Sequence, residues 1–446
     1  MKLRIGFLGF LMVLCTLAGT GWAQQPQGHY LVLKVDRLGN VQPVFHRAVD
    51  VEARPMPEKS LREKAARSSS QLLAETAAWA EIAEIPPHLR GEFAADGQGG
   101  QIIPHRVPLN EHYFALRIPA SAGNRVSVSY LGRKTTLDLG EISAKSSSLP
   151  FAGSSGARSK RAAANSANRL DILVIGDGYT AAEQAQFQTH FTNLRNTFLA
   201  HTPYAEYASF VNWESLFVAS NQSGADHPPY QAGCTTTSCC ADTAAQDDPR
   251  AGLIVDTAFD GTFCTAQIHR LVTVSYGKVL AAASAAPHWD QIIVIVNDPV
   301  YGGAGGSFSV ATANEWSSHI AVHEFGHTFT RLADEYTTPY PGFPNCSDTG
   351  GGYPCEVNVT NQTDRSLIKW NYWIGASTPI PTSPGTTGIG LFEGARYQET
   401  GMYRPEHTCA MRNLAVPFCN VCSQAYVMML YAGGSGFAGG RTTASS

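Results

Sequence analysis

The stretch HEFGHTFTRLADEY, His323 to Tyr336, decides how the rest of this 446-residue chain is read. His323 and His327 stand four apart, so on a helix they project from one face about a turn from each other. Two imidazoles so placed can reach a single zinc ion at about 2.0–2.1 Å. Glu324, between them, faces the water that such an ion holds. Zinc lowers the pKa of that water toward about 7, and a carboxylate alongside takes its proton as the oxygen attacks a carbonyl. This is the mechanical content of HExxH. Ile320, Ala321 and Phe325 lie among these polar groups, as on a helix buried along one side.

Catalytic zinc takes three protein ligands and keeps a fourth position open. Where the third ligand follows HExxH closely, as in HExxHxxGxxH sites, it stands six residues after the second histidine. Here that position is Ala333, which cannot bind metal. A turn longer by one residue brings Asp334 onto the ion, so Asp334 is the first choice and Glu335 the alternative. If both carboxylates instead orient the histidines, the ligand lies elsewhere in the chain.

The composition is that of a globular protein: 43% of residues are hydrophobic and 15% charged. With a net charge of −4 there is no basic excess to grip phosphates, which argues against nucleic acid as a partner. Lys2 and Arg4, the apolar run from Ile5 to about Ala18 and the small residues up to Ala23 have the order of a secretory signal peptide, with cleavage expected near Ala23. No later run is long enough to cross a bilayer, so the mature chain is expected to be secreted or periplasmic, without a membrane span. Export permits disulfides. Outside the leader stand Cys234, Cys239, Cys240, Cys264, Cys346, Cys355, Cys409, Cys419 and Cys422, an odd set that leaves at least one thiol over. In CNVC, Cys419 and Cys422 are expected to form a disulfide rather than a zinc or redox site, because no second CxxC accompanies them.

Alternation in HYLVLKVD, HYFALRIPA and NRVSVSYLG predicts an N-terminal β-rich domain over residues 24–140, interrupted by a helix over Ser68–Ile85. Residues 141–168 are rich in Ser, Ala and Gly and read as a linker, within which the basic Arg158–Arg161 is either solvated or a nick site. From Leu170 the pattern changes. LDILVIGDGYT is a continuous apolar strand, and the following helix places Phe187, Phe191, Leu194 and Phe198 on one side. FVNWESLFVAS and WDQIIVIVND are further strands, so residues 169–432 read as an α/β domain; Ser317–Tyr336 reads as a helix, and residues 433–446 as a mobile tail.

HEFGHTFTRLADEY resembles the signature of the M64 peptidase family, named for a bacterial IgA-cleaving metallopeptidase and related in its zinc site to the metzincins. ILVIGDGYT, SNQSGADHP, VNDPVYGGAGG, GMYRPEHTCAMRN and FCNVC fit the same family over roughly Leu170–Leu430. The resemblance implies a metzincin-like α/β zinc peptidase domain preceded by a small β-sandwich-like domain. It also implies a zinc cofactor and a protein or peptide substrate. Met411 then corresponds to the methionine packed beneath the zinc ligands. Tyr403 is implied as a catalytic residue that stabilises the oxyanion, with Arg404 and His407 as further candidates. YGGAGG, Tyr301–Gly306, is an edge where an extended substrate adds as a strand, or a plain loop. Thr330 and Arg331 stand where glycines are expected after the second histidine, which makes a left-handed turn there costly. Two rival readings are an exported binding protein on an inactive peptidase fold and a zinc amidase acting on cell-wall substrates.

Overall fold

The computed structural model describes residues 28–51, 59–66, 71–86, 88–94, 97–152, 157–158, 169–350 and 353–432. The expected leader, residues 159–161 of the basic run and the expected tail lie outside them. The first part of the chain runs β1 (Gly28–Asp36), β2 (Val41–Val49), α1 (Lys59–Ala65), β3 (Gln71–Glu75), β4 (Ala80–Glu84), β5 (His88–Ala94), β6 (Gly100–Pro108), β7 (Glu111–Pro119), β8 (Arg125–Tyr130), β9 (Arg133–Asp138) and α2 (Leu139–Ala144).

β1 is the pivot of this region, lying antiparallel between β2 and β7. Its side chains alternate between two cores, as the period of a strand requires. Leu31, Leu33 and Val35 face a second sheet, ordered β4-β3-β8-β9, whose Leu72, Val126 and Val128 meet them. Tyr30 and Val32 face the opposite way, into a core shared with the later part of the chain.

The helix expected over Ser68–Ile85 is instead the β3–β4 hairpin, paired from Gln71↔Glu84 to Glu75↔Ala80. Both faces of this hairpin are covered: Leu72 and Ala74 enter the core under β1, while Leu73 and Ile82 pack near Ala65 of α1. With apolar residues on both faces, the period-two signal was hidden, and the run imitated a helix.

The second part contains β10 (Ala157–Arg158), β11 (Leu170–Asp177), α3 (Gln184–Leu199), β12 (Val211–Phe217), α4 (Tyr276–Ala283), β13 (Gln291–Val296), β14 (Gly303–Ala304), β15 (Ser309–Thr312), α5 (Ser317–Thr328), β16 (Phe392–Ala395), β17 (Gln398–Arg404), β18 (Asn413–Leu414) and α6 (Asn420–Ala432). Its mixed sheet is ordered β10-β12-β11-β13-β15-β14, parallel through β12, β11, β13 and β15 and antiparallel at both ends. β11 is buried along its whole length, which is why it reads as an unbroken apolar run. Leu173 and Ile175 face α4 and β1, whereas Ile172 and Val174 face Phe187 and Phe198 of α3 and Phe325 of α5. The two regions meet directly: Tyr30 Oη donates to Leu280 O at 2.7 Å and Arg117 Nη1 to Pro287 O at 2.9 Å.

Disulfides join Cys234–Cys239, Cys240–Cys264 and Cys346–Cys355. The expected Cys419–Cys422 bridge is absent: both thiols, with that of Cys409, are unbonded and buried.

Candidate metal centre and active site

α5 carries the HExxH residues and ends at Thr328, short of the Tyr336 expected from its pattern. Thr330 Oγ1 donates to Gly326 O at 2.5 Å, and Arg331 takes a left-handed conformation with φ 55°. Such a conformation costs a non-glycine residue on the order of 1–3 kcal/mol, so the chain turns at the expected place but without the glycine. Beyond it, Ala333 is clasped by Asn358, which accepts from its N–H and donates to its carbonyl, each at 2.8 Å. This clasp sets the following residue, Asp334, back toward the helix.

His323 Nδ1 bonds to Ala410 O at 2.8 Å and His327 Nδ1 to Leu332 O at 2.7 Å. A carbonyl only accepts, so each Nδ1 carries the proton and each Nε2 is free to offer its lone pair to a metal. The two Nε2 atoms are 3.1 Å apart. Asp334 Oδ1 lies 3.3 Å from His323 Nε2 and 3.1 Å from His327 Nε2. A fourth group completes the cluster: Glu92 of β5, whose Oε2 is 2.6 Å from His323 Nε2 and 3.5 Å from His327 Nε2.

Ligands at about 2.0–2.1 Å around a tetrahedral ion stand about 3.3 Å from one another. These separations fall around that value. Glu92 Oε2 and Asp334 Oδ1 are both buried, and while both imidazoles are neutral four acceptors converge with nothing donating between them. Burial opposes charge on His323, yet the carboxylates of Glu92 and Asp334 outweigh it and hold the imidazole protonated well above the ordinary histidine range if no cation is present. The short Nε2–Nε2 separation leaves no space for a proton on both rings. A divalent cation satisfies all four groups at once, and the donor set of two imidazoles and two carboxylates suits zinc.

Positive side chains from the β5–β6 hairpin surround the cluster. Arg106 pairs with Glu92 and with Asp334 Oδ2, the latter at 2.8 Å, and donates to Tyr336 Oη at 2.6 Å and Tyr397 Oη at 2.9 Å. Tyr397 in turn bonds Asp334 Oδ2, and Tyr336 donates to Glu92 Oε1 at 3.0 Å. The second oxygen of each carboxylate is therefore fixed, which aims the first at the histidines.

Glu324 is fully buried, and burial pushes its pKa up to about 7 against the lowering influence of Arg90. Arg90 Nη2 sits 2.7 Å and its Nε 2.9 Å from Glu324 Oε2. Gly305, beside β14, makes this approach feasible, because a Cβ there would collide with the Glu324 carboxylate. Gly326 plays the same part on the other side of the helix, where a Cβ would stand 2.6 Å from Met411 Sδ. A cavity of about 390 Å³ opens beside His327 and Arg90, with Leu280, Trp289, Phe308 and Phe329 in its walls.

Of the residues expected at the site, His323, His327 and Asp334 come together, while the Glu324 carboxylate is held by Arg90. Glu335 points away, toward Cys422 Sγ at 3.3 Å. Tyr403, on β17, has its hydroxyl against Glu393, Arg404 is turned onto the carbonyls of Glu393 and Gly394, and His407 Nδ1 accepts from Gly385 N–H at 3.3 Å. The tyrosines that reach the cluster are Tyr336 and Tyr397. Glu92, Arg90 and Arg106 were not foreseen. Their only local sign is a cluster of charges on two adjacent strands, where Arg90 pairs across from Arg106.

The family model described as IgA peptidase M64 matches residues 160–239, 235–388 and 383–430, more than half of the chain. No curated protein matches. Among the described residues, no helix is long and apolar enough to cross a membrane. On the strength of that match, which includes the α5 motif and the strands that carry it, the chain belongs to the M64 peptidase family.

Proposed function

We propose that the chain is an exported, zinc-dependent endopeptidase with a metzincin-like catalytic fold, and that His323, His327 and Asp334 are its zinc ligands and Glu324 its general base. The observation that carries this reading is the convergence of two imidazole Nε2 atoms and two buried carboxylate oxygens at the mutual distances of ligands around one ion. Zinc, when bound there, supplies Lewis acidity, making water a nucleophile near neutral pH and polarising the scissile carbonyl. The chain's own residues do the rest. Ala410 O and Leu332 O fix the histidine tautomers, Arg106 and Tyr397 orient Asp334, and Glu324 takes a proton from the attacking water and returns it to the leaving amine. An extended peptide would reach the edge at Gly305 only by displacing Arg90 of β5, which pairs with it here, and the cavity beside His327 offers an apolar site for one of its side chains. The three disulfides support an oxidising compartment.

The test is elemental analysis of wild type, Asp334→Ala and Glu324→Ala, with casein cleavage assayed alongside. Cleavage is measured on the Glu92→Ala chain as well, because Glu92 would take the fourth position on a bound ion. Chelator-sensitive cleavage that Glu324→Ala removes without removing metal is the expected result. Cleavage insensitive to chelators, or retained without Glu324, would defeat the mechanism; bound metal with no cleavage by either chain would favour the binding-protein reading.

A further inference from the structure

Asp334 and Glu335 are consecutive, and their side chains go opposite ways: Asp334 to the two histidines, Glu335 to Cys409, Cys419 and Cys422. One carboxylate oxygen and three Sγ atoms, all from buried residues, lie within 4.8 Å of one another. Cys409 Sγ and Cys422 Sγ are 3.7 Å apart, and Glu335 Oε1 is 3.3 Å from Cys422 Sγ. Zinc bonds of about 2.3 Å to sulfur and 2.0 Å to oxygen, set tetrahedrally, place sulfurs about 3.8 Å apart and sulfur and oxygen about 3.5 Å apart.

Cys419 N–H donates to Cys409 Sγ at 3.2 Å and Cys422 N–H to Cys419 Sγ at 3.4 Å, so backbone donors point at the sulfurs. Asn358 Nδ2 donates to Glu335 Oε1 at 2.9 Å, while Glu335 Oε2 is buried without a partner. Arg404 Nε is likewise buried without a partner. Three thiols cannot all pair as disulfides, and the other six cysteines described are already bonded.

We infer that Glu335, Cys409, Cys419 and Cys422 bind a second zinc ion, structural in kind because all four positions are protein ligands. The inference is independent of the peptidase reading. The ion ties the segment after α5, the turn containing Met411 and the start of α6 into one unit, directly behind Asp334.

Cobalt substitution of the full chain reads this site separately from the histidine site, since only thiolates give sulfur-to-cobalt charge-transfer absorption. The band is expected in wild type, to persist in a His323→Ala/His327→Ala chain and to vanish in Cys419→Ser/Cys422→Ser. Native zinc content is expected at about two per chain, falling to about one in Asp334→Ala. Independently of any variant, the three thiols of the native chain should resist alkylation until a chelator is added and then react. A disulfide among them in a non-reducing peptide map, or cobalt uptake without the band, would overturn the site.

A different observation carries a second inference, which rests on the peptidase reading. β5 lies along the edge that a substrate strand would use: Arg90 N–H donates to Gly305 O at 2.7 Å and Gly305 N–H to Arg90 O at 2.8 Å. Two residues on, Glu92 Oε2 stands against both histidines beside Asp334, so it would take the fourth position on a bound ion, and Arg90 holds Glu324. We propose that β5 is a built-in occupant of the substrate cleft and that the structure is the closed form of the enzyme. Opening requires the β5–β6 hairpin to withdraw.

Acetohydroxamate, a small zinc-binding probe, tests this on the cobalt-loaded full chain through the ligand-field spectrum of the histidine site. Wild type should respond only at probe concentrations at least tenfold above those that shift Glu92→Ala. Equal response overturns the occupancy and leaves the peptidase reading standing; absence of cobalt at the histidines in both chains overturns both.

Discussion

Replacing Glu324 by glutamine keeps its shape and removes its basicity. In a chain competent for cleavage, kcat should fall by about 10²- to 10⁴-fold with metal content unchanged, as steady-state kinetics on metal-analysed protein would show. Gly326→Ala should destabilise the fold by about 1–3 kcal/mol, since the added Cβ meets Met411 Sδ at 2.6 Å and neither the helix nor the buried methionine can yield easily. Thermal unfolding measures it. His323, Glu324 and His327 were legible because their chemistry is local, set by the spacing of one helix. Asp334 was legible by counting along a turn. Glu92 was not, because what brings it to His323 is the register of a distant hairpin.

Elements were read well where one face was exposed, or where a doubly buried strand was an unbroken run of Ile, Leu and Val as in β11 and β13, and poorly where a doubly covered run was rich in Ala and Glu. α3 showed its stripe, with Phe187, Leu194 and Phe198 buried. The β3–β4 hairpin, apolar on both faces, did not. The loops after β12 and β13 hold a polar group that no local pattern announced. His227 bonds Asp248 Oδ2 through Nδ1 at 2.7 Å and Asp298 Oδ2 through Nε2 at 2.9 Å, while His269 and Arg250 each support one of the carboxylates at 2.8 Å. Burial opposes charge on His227, but Asp298 and Asp248 outweigh it and raise its pKa above the ordinary 6.5. The folded state therefore holds this proton more tightly than the unfolded one, so the stabilisation is complete below about pH 6.5 and declines as pH rises through the raised value. His227→Gln should lose more stability relative to wild type at pH 6 than at pH 8 in urea denaturation. His227→Ala, which strips a partner from two buried carboxylates, should cost about 3–5 kcal/mol at pH 6.

For the molecule as a whole, the composition change near residue 169 suggested two bodies joined by a linker. The structure shows a shared wall. Leu139 and Ile142 of α2, within or next to the segment read as linker, are buried in the N-terminal core, and β1 contributes side chains to that core and to the one beneath β11 and β13. Each fully buried large apolar side chain contributes about 1.5–3 kcal/mol relative to exposure. A fragment beginning at residue 169 would bare the surface that Tyr30, Val32, Val44 and Phe45 cover, and size-exclusion chromatography should find it aggregated where the full chain is not.

The double-sided burial of β1 also means that severing the backbone between α2 and β11 would not separate the halves. Two polypeptides would travel as one particle, held by a core rather than by a peptide bond. Even after such a cut the β5–β6 hairpin would stay tethered at high effective concentration beside the cleft it fills. Inhibition of this kind is reversible, and whatever draws the hairpin away must compete with it continuously.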